Sequence, residues 1–138
     1  MISKNSKETQ KIAQDLAKKI LRSKKRKNQA FVLALKGKLG SGKTTFLQGL
    51  AKGLGIKEKI ASPTFNIYKR FGNFYHFDCY RIEKPKEILD LGFEEIIQDP
   101  KNIVAIEWAE KIKKILPKTT KWINFKFLNK ASRSIDFL

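Results

Sequence analysis

The chain has 138 residues, with 30 Lys and Arg against 13 Asp and Glu, a net charge of +17 and one cysteine. This length suits a single domain with a real core. No run of about 18 apolar residues is present to span a membrane, the opening MISKNSKETQ has no apolar stretch of the signal-peptide kind, and Cys79 has no partner for an internal disulfide, so a reducing cytoplasm is the expected compartment.

Asn5 or Ser6 can cap a first helix, with Glu8 or Thr9 in its opening turn. Ile12, Leu16 and Ile20, with Ala13 and Ala17 beside them, form one buried face that runs to about Leu21. Seven of the ten residues 18–27 are basic: Lys18, Lys19, Arg22, Lys24, Lys25, Arg26 and Lys27. A helix C-terminus suits such charges. Contact with a polyanion such as tRNA is their functional reading, and a solvated surface is the plainer one. No aromatic residue interleaves them, so they offer no stacking platform for single strands.

Residues 30–35, AFVLAL, read as a buried parallel strand. A helix follows from near Lys43 and ends at Gly53 or Gly55. Pro63 holds residues 60–69 out of helix. Residues 66–71 and 74–80 predict a hairpin, with Phe74, His76, Asp78 and Tyr80 on one face and Tyr75, Phe77 and Cys79 on the other. Pro85 opens a helix through Leu89 that Gly92 ends, and residues 93–97 add a helical turn or two. Residues 102–108 are a second buried strand, residues 110–116 a short helix stopped by Pro117, and residues 121–128 and 134–138 two closing strands. The alternation predicts an α/β domain over residues 1–138.

Between the first strand and its helix lies GKLGSGKTT, residues 37–45. It fits G-x-x-x-x-G-K-[ST] at Gly37, Gly42, Lys43 and Thr44, in the strand–loop–helix setting that gives the pattern its mechanism. The glycines let successive N–H groups converge on an anion, and the helix start adds its own N–H groups and the positive end of its dipole. Lys43 is placed to reach the β- and γ-phosphates. The Thr44 hydroxyl suits Mg²⁺, which favours oxygen ligands and keeps several waters.

Such a loop calls for a carboxylate near the metal and a group that orients water. Two acidic residues lie on strands. Glu107 closes the run Ile103-Val-Ala-Ile106, at the strand end where open α/β sheets bind ligands; the alternative for it is a structural ion pair. Asp78 is the other metal-side or water-orienting candidate, the alternative being a pairing with Arg70 or Arg81. SPTF, residues 62–65, is a candidate γ-phosphate sensor through Thr64. His76 is the sole histidine, so no zinc site is expected.

GKLGSGKTTF, SPTF, HFDCYR, LGFEE and IEWAE, in this order and spacing, resemble the TsaE (YjeE) family, and the resemblance covers nearly the whole chain. It implies a P-loop NTPase-like three-layer domain with a mostly parallel central sheet, a β-hairpin and antiparallel carboxy-terminal strands. It also implies slow, Mg²⁺-dependent hydrolysis of ATP. The family acts with TsaD and TsaB, which transfer a threonylcarbamoyl group to N6 of adenosine 37 in tRNAs reading codons that begin with A. It does not perform that transfer itself. By motif, Gly37, Gly40, Ser41, Gly42, Lys43, Thr44 and Thr45 would hold the phosphates. Thr44 and Glu107 would bind Mg²⁺, and Asp78 would be the essential acid near the γ-phosphate. Ser6, Thr9 and Arg133 match places of nucleotide contact. Lys38 departs from the family, which commonly has an acidic residue there. The rival readings are a small P-loop kinase, for which no arginine-bearing lid insertion is visible, and a basic RNA-binding scaffold with a vestigial nucleotide site.

Overall fold

The computed structural model describes residues 1–23, 28–61 and 66–138. By its internal contacts the chain divides into two compact units, one of Met1–Lys24, Gly37–Ser62 and Ile123–Leu138, the other of Lys25–Lys36 and Pro63–Trp122. The fold is α/β, with parallel strand pairing, a β-hairpin and antiparallel carboxy-terminal strands. No described helix is long and apolar enough to cross a membrane.

The first unit is built on two helices and three strands. α1 (Ser6–Arg22) begins at Asn5, whose side chain accepts from Glu8 N at 2.9 Å, while Glu8 Oε2 accepts from Lys4 N at 2.6 Å. These two bonds satisfy donors that a helix start otherwise leaves to water. α2 (Lys43–Gly53) ends in a Schellman turn: Gly55, at φ +83°, donates to Lys52 O, and Ile56 donates to Ala51 O. The glycines of α2 let it lie close on α1. A Cβ at Gly49 would stand 2.5 Å from Gln10 Cα, and one at Gly53 would stand 2.6 Å from Ala17 Cβ.

The strands of this unit are β1 (Ile2–Ser3), β6 (Lys121–Phe127) from Ile123 onward, and β7 (Arg133–Phe137). β7 pairs antiparallel with both of the others, with Phe125 opposite Ile135 and Ile2 opposite Ser134. Phe46 of α2, fully buried, meets Phe125 edge-on at 5.3 Å. β1 was not legible in the sequence. Two residues give no periodicity, and it exists through pairing and through the amino group of Met1, which lies 3.1 Å from Asp136 Oδ1.

The second unit carries β2 (Phe31–Lys36), β3 (Tyr68–Phe71), β4 (Phe74–Asp78) and β5 (Ile103–Glu107), in the spatial order β2-β5-β4-β3. β5 runs parallel to both neighbours, with Leu35, Glu107 and Asp78 aligned at the carboxyl ends. Strands covered on both faces read as unbroken apolar runs, and every residue of β5 is buried. One face bears Val32, Ala34, Tyr75, Phe77, Val104 and Ile106. These pack with Ile88 of α3 (Lys86–Leu89), Phe93 and Ile97 of α4 (Phe93–Gln98), and Ile112 of a 3₁₀ segment (Ala109–Ile115). Phe77 and Phe93 meet edge-on at 5.3 Å.

β4 ends at Asp78, not Tyr80. Its next residue, Cys79, still donates its N–H to Glu107 O at 3.0 Å before the chain turns. The segment expected as a short helix at residues 110–116 is the 3₁₀ segment, kinked at Ile112.

Gly49→Ala adds a methyl where Gln10 backbone already stands. The gain in helix propensity, about 1 kcal/mol, is smaller than the cost of prying the helices apart, so a net loss of about 1–2 kcal/mol is expected. Chemical denaturation of the two proteins measures it. Equal midpoints would show that α1 and α2 are not held at this separation.

Candidate functional site

The phosphate-loop sequence begins at Gly37, directly after β2. Gly37 has φ +157°, and a Cβ there would fall 2.7 Å from Ser41 Oγ and 2.8 Å from Phe125 O. Only glycine lets the loop fold this closely against β6. Gly42, at φ +102°, begins α2 with no side chain capping it. The first amides of an 11-residue helix are therefore left to other acceptors. Inside the curl, Lys43 is only 4 % exposed and donates from Nζ to Gly37 O at 2.6 Å. Ser41 is buried too, and its Oγ has no hydrogen-bond partner among the described residues. A buried hydroxyl without a partner costs about 1–3 kcal/mol, which an acceptor or donor entering the loop would relieve. Thr44 and Thr45 are half-buried on the first turn of α2, and Lys38 and Gly40 are exposed.

A cavity of about 240 Å³ adjoins the helix start, lined by Asn5, Ser6, Thr9, Gly42, Thr45, Lys130, Ala131 and Arg133. It brings Ser6, Thr9, Thr45 and Arg133 around one space. The Thr9 hydroxyl already shares a 2.6 Å hydrogen bond with Ser3 Oγ. Arg133 is tied to main chain. Its Nε donates to Gly40 O at 3.1 Å, and its Nη1 donates to Asn129 O at 2.6 Å and Ser132 O at 3.0 Å. The guanidinium also lies over the Phe127 ring, 4.7 Å from its centre. Arg133 thus braces the loop at Gly40 as well as lining the cavity.

The acidic candidates lie in the second unit. Glu107 ends β5 and is 4 % exposed. Its Oε2 is 2.7 Å from His76 Nε2 on β4, a fully buried side chain. Since β4 and β5 are parallel with Asp78 opposite Glu107, the side chains of His76, Asp78 and Glu107 share one face. Asp78 Oδ1 accepts from Tyr80 N at 3.0 Å, which shapes the turn leaving the strand. After Glu107 the chain reverses through Trp108 at φ +56°, a left-handed conformation rare for a bulky residue. Its ring lies 5.1 Å from that of Tyr80, whose carbonyl accepts from Lys111 Nζ.

The partner of His76 was missed in the sequence. A lone histidine carries no spacing signal of its own, and its reach to Glu107 depends on a strand register that no spacing reveals. Arg70, considered as a partner of Asp78, donates from Nε to Gly72 O and lies over the Tyr75 ring. Thr64 lies outside the described residues, as do Lys24, Lys25, Arg26 and Lys27 of the basic run. Lys18, Lys19 and Arg22 are exposed on the last turns of α1. Among the described residues no three His, Cys, Asp or Glu side chains converge to hold a metal.

A family model described as threonylcarbamoyl adenosine biosynthesis protein TsaE matches residues 3–135. Curated proteins named tRNA threonylcarbamoyladenosine biosynthesis protein TsaE are similar to the chain. The one from Treponema pallidum is 38% identical over 107 residues, covering 75% of this chain and 78% of its own. The one from Rickettsia felis is 38% identical over 138 residues, covering 96% and 75%. The one from Bacillus subtilis is 41% identical over 110 residues, covering 77% and 68%. A crystal structure of Bacillus subtilis YdiB superposes with a TM-score of 0.72 at 32% identity, covering 99% of this chain and 82% of that one.

Cys79 lies beside the acidic pair and is fully buried. Burial first, and the nearby Asp78 charge second, push its thiol from 9.0 up to about 12. The folded chain keeps this proton while the unfolded chain loses it, so stability falls as pH rises from about 9 toward 12. At neutral pH iodoacetamide should leave the folded protein unlabelled and alkylate it only after denaturation. Labelling of the folded chain at the rate of a free thiol would contradict this burial.

Proposed function

The chain belongs to the TsaE family of tRNA threonylcarbamoyladenosine biosynthesis, and on that footing we propose that it binds and hydrolyses ATP with Mg²⁺ in support of that modification. The observation that carries the nucleotide reading is the curl of residues 37–45: a buried ammonium, an unpartnered buried hydroxyl and an uncapped helix start collected in one loop. Each is chemistry that a triphosphate answers.

In this reading the backbone from Gly37 through Thr45 cradles the phosphates, Ser41 gains a phosphate oxygen as partner, and Lys43 stabilises charge on the β- and γ-phosphates. Mg²⁺, when bound, neutralises the phosphate charge. It keeps waters and takes few protein ligands. The Thr44 hydroxyl and the Glu107 carboxylate are assigned to it. Asp78 is assigned to the attacking water or the γ-phosphate, and Thr64 to sensing that phosphate. The cavity at Ser6, Thr9, Thr45 and Arg133 takes the nucleoside end.

The partners in this reading are TsaD and TsaB, with tRNA reached through their complex, and the cytoplasm is the compartment it calls for. Activity that needs a small acceptor and ignores these partners would favour the kinase. A protein with no nucleotide affinity would favour the RNA-binding scaffold.

Lys43→Ala is expected to lower ATP turnover at least about 100-fold, the scale of one lost charge-stabilising group in a phosphoryl-transfer site. Thr44→Ala and Glu107→Ala are each expected to lower Mg²⁺-dependent turnover at least about tenfold while melting near the wild type. Turnover measured with and without TsaD and TsaB decides it. Unchanged turnover in all three variants would sink the assignment.

A further inference from the structure

We propose that His76 is a positioning residue that fixes the Glu107 carboxylate in the orientation its metal role requires. The inference rests on the ATPase reading for its function, but its geometry stands on the buried pair alone. A carboxylate only accepts hydrogen bonds, so the 2.7 Å contact is a bond donated by His76 Nε2 to Glu107 Oε2. The two side chains are 0% and 5% exposed, so water does not compete for that oxygen. Oε1 is bonded by no described residue. One oxygen of a buried carboxylate is therefore anchored, and the other is left for a ligand.

The strand register makes this arrangement specific. His76 lies opposite Ala105, two residues before Glu107 on the neighbouring parallel strand. The small side chain at Ala105 leaves the diagonal from His76 to Glu107 open. Asp78, directly opposite Glu107, has Oδ1 turned back to its own chain at Tyr80 N. Among described residues, His76 is the one side chain that bonds the Glu107 carboxylate. Without it Glu107 could rotate, and a buried acid with no donor would be poorly held. An outer partner of this kind orients a metal-side ligand and raises its grip.

The test compares the full-length protein with His76→Gln, His76→Leu and His76→Asn. The Gln amide nitrogen can stand where Nε2 stands. Leu removes the donor, and the Asn amide is too short to reach Oε2, which provides a second variant should Leu fail to fold. Two measurements are made: crystal structures of the variants, read at the Glu107 side chain, and ATP turnover as a function of Mg²⁺ concentration. Leu or Asn is expected to turn the Glu107 carboxylate and to raise the Mg²⁺ needed for half-maximal turnover by about 10- to 100-fold. ATP binding without metal should hold, and Gln should restore both readouts. A Glu107 carboxylate unmoved in Leu and Asn, or an unchanged Mg²⁺ requirement, overturns the proposal, as does a Gln variant no better than Leu. A wild type that turns over no ATP overturns the ATPase reading instead, and the crystal structures alone then decide whether His76 positions Glu107.

Discussion

The structure depends most on a buried ammonium. Lys43 Nζ lies inside the curl of residues 37–45 and donates to Gly37 O. Taking a cation out of water costs several kcal/mol even after the protein relaxes. The start of α2, which no side chain caps, adds amides and the positive end of its dipole beside that ammonium, and both favour an anion. The glycines are what make the curl possible. A Cβ at Gly37 would occupy the space of Ser41 Oγ and Phe125 O, so the curl could not close, and Lys43 would have no carbonyl to fold onto.

The second constraint is the alignment of strand ends. β5 between β2 and β4 puts Glu107 level with Leu35 on one side and Asp78 on the other. The two acids face the same way yet meet different surroundings. Glu107 is buried and held by His76, while Asp78 is half-buried and helps to form a turn. A buried, anchored carboxylate suits a fixed ligand role. A carboxylate at a turn can adjust to a substrate or a water. The register sets the two acids level, and His76 on one and the Tyr80 turn on the other divide their surroundings.

Much of the architecture was legible because its signals are local. The apolar run at residues 30–35, the 3.6-residue stripe of α1, and the glycines and lysine of the loop each act within a few residues. The Schellman turn at Gly55 is of the same kind. What stayed hidden depends on pairing. β1 is two residues long and owes its existence to β7. The end of β4 at Asp78 depends on where β5 turns away. The bond from His76 to Glu107 spans 31 positions of sequence. Arg133 was readable as a nucleotide contact by resemblance, but its brace to Gly40 O was not, because the turn at residues 129–132 sets that geometry.

The loop also separates its chemistry from its tip. Ser41 and Lys43 are buried, whereas Lys38 is exposed and Leu39 is 74% exposed. Lys38 carries a positive charge at this tip. Because it is solvated, its charge acts through water and salt, within a Debye length of about 8–10 Å. Charge at that range changes how fast an anion or an acidic surface arrives more than how tightly the cradle holds it. The tip can therefore change sign without disturbing the bond from Lys43 Nζ to Gly37 O. In the proposed ATPase reading the grip on phosphate belongs to the buried half of the loop, and the exposed half tunes what approaches it.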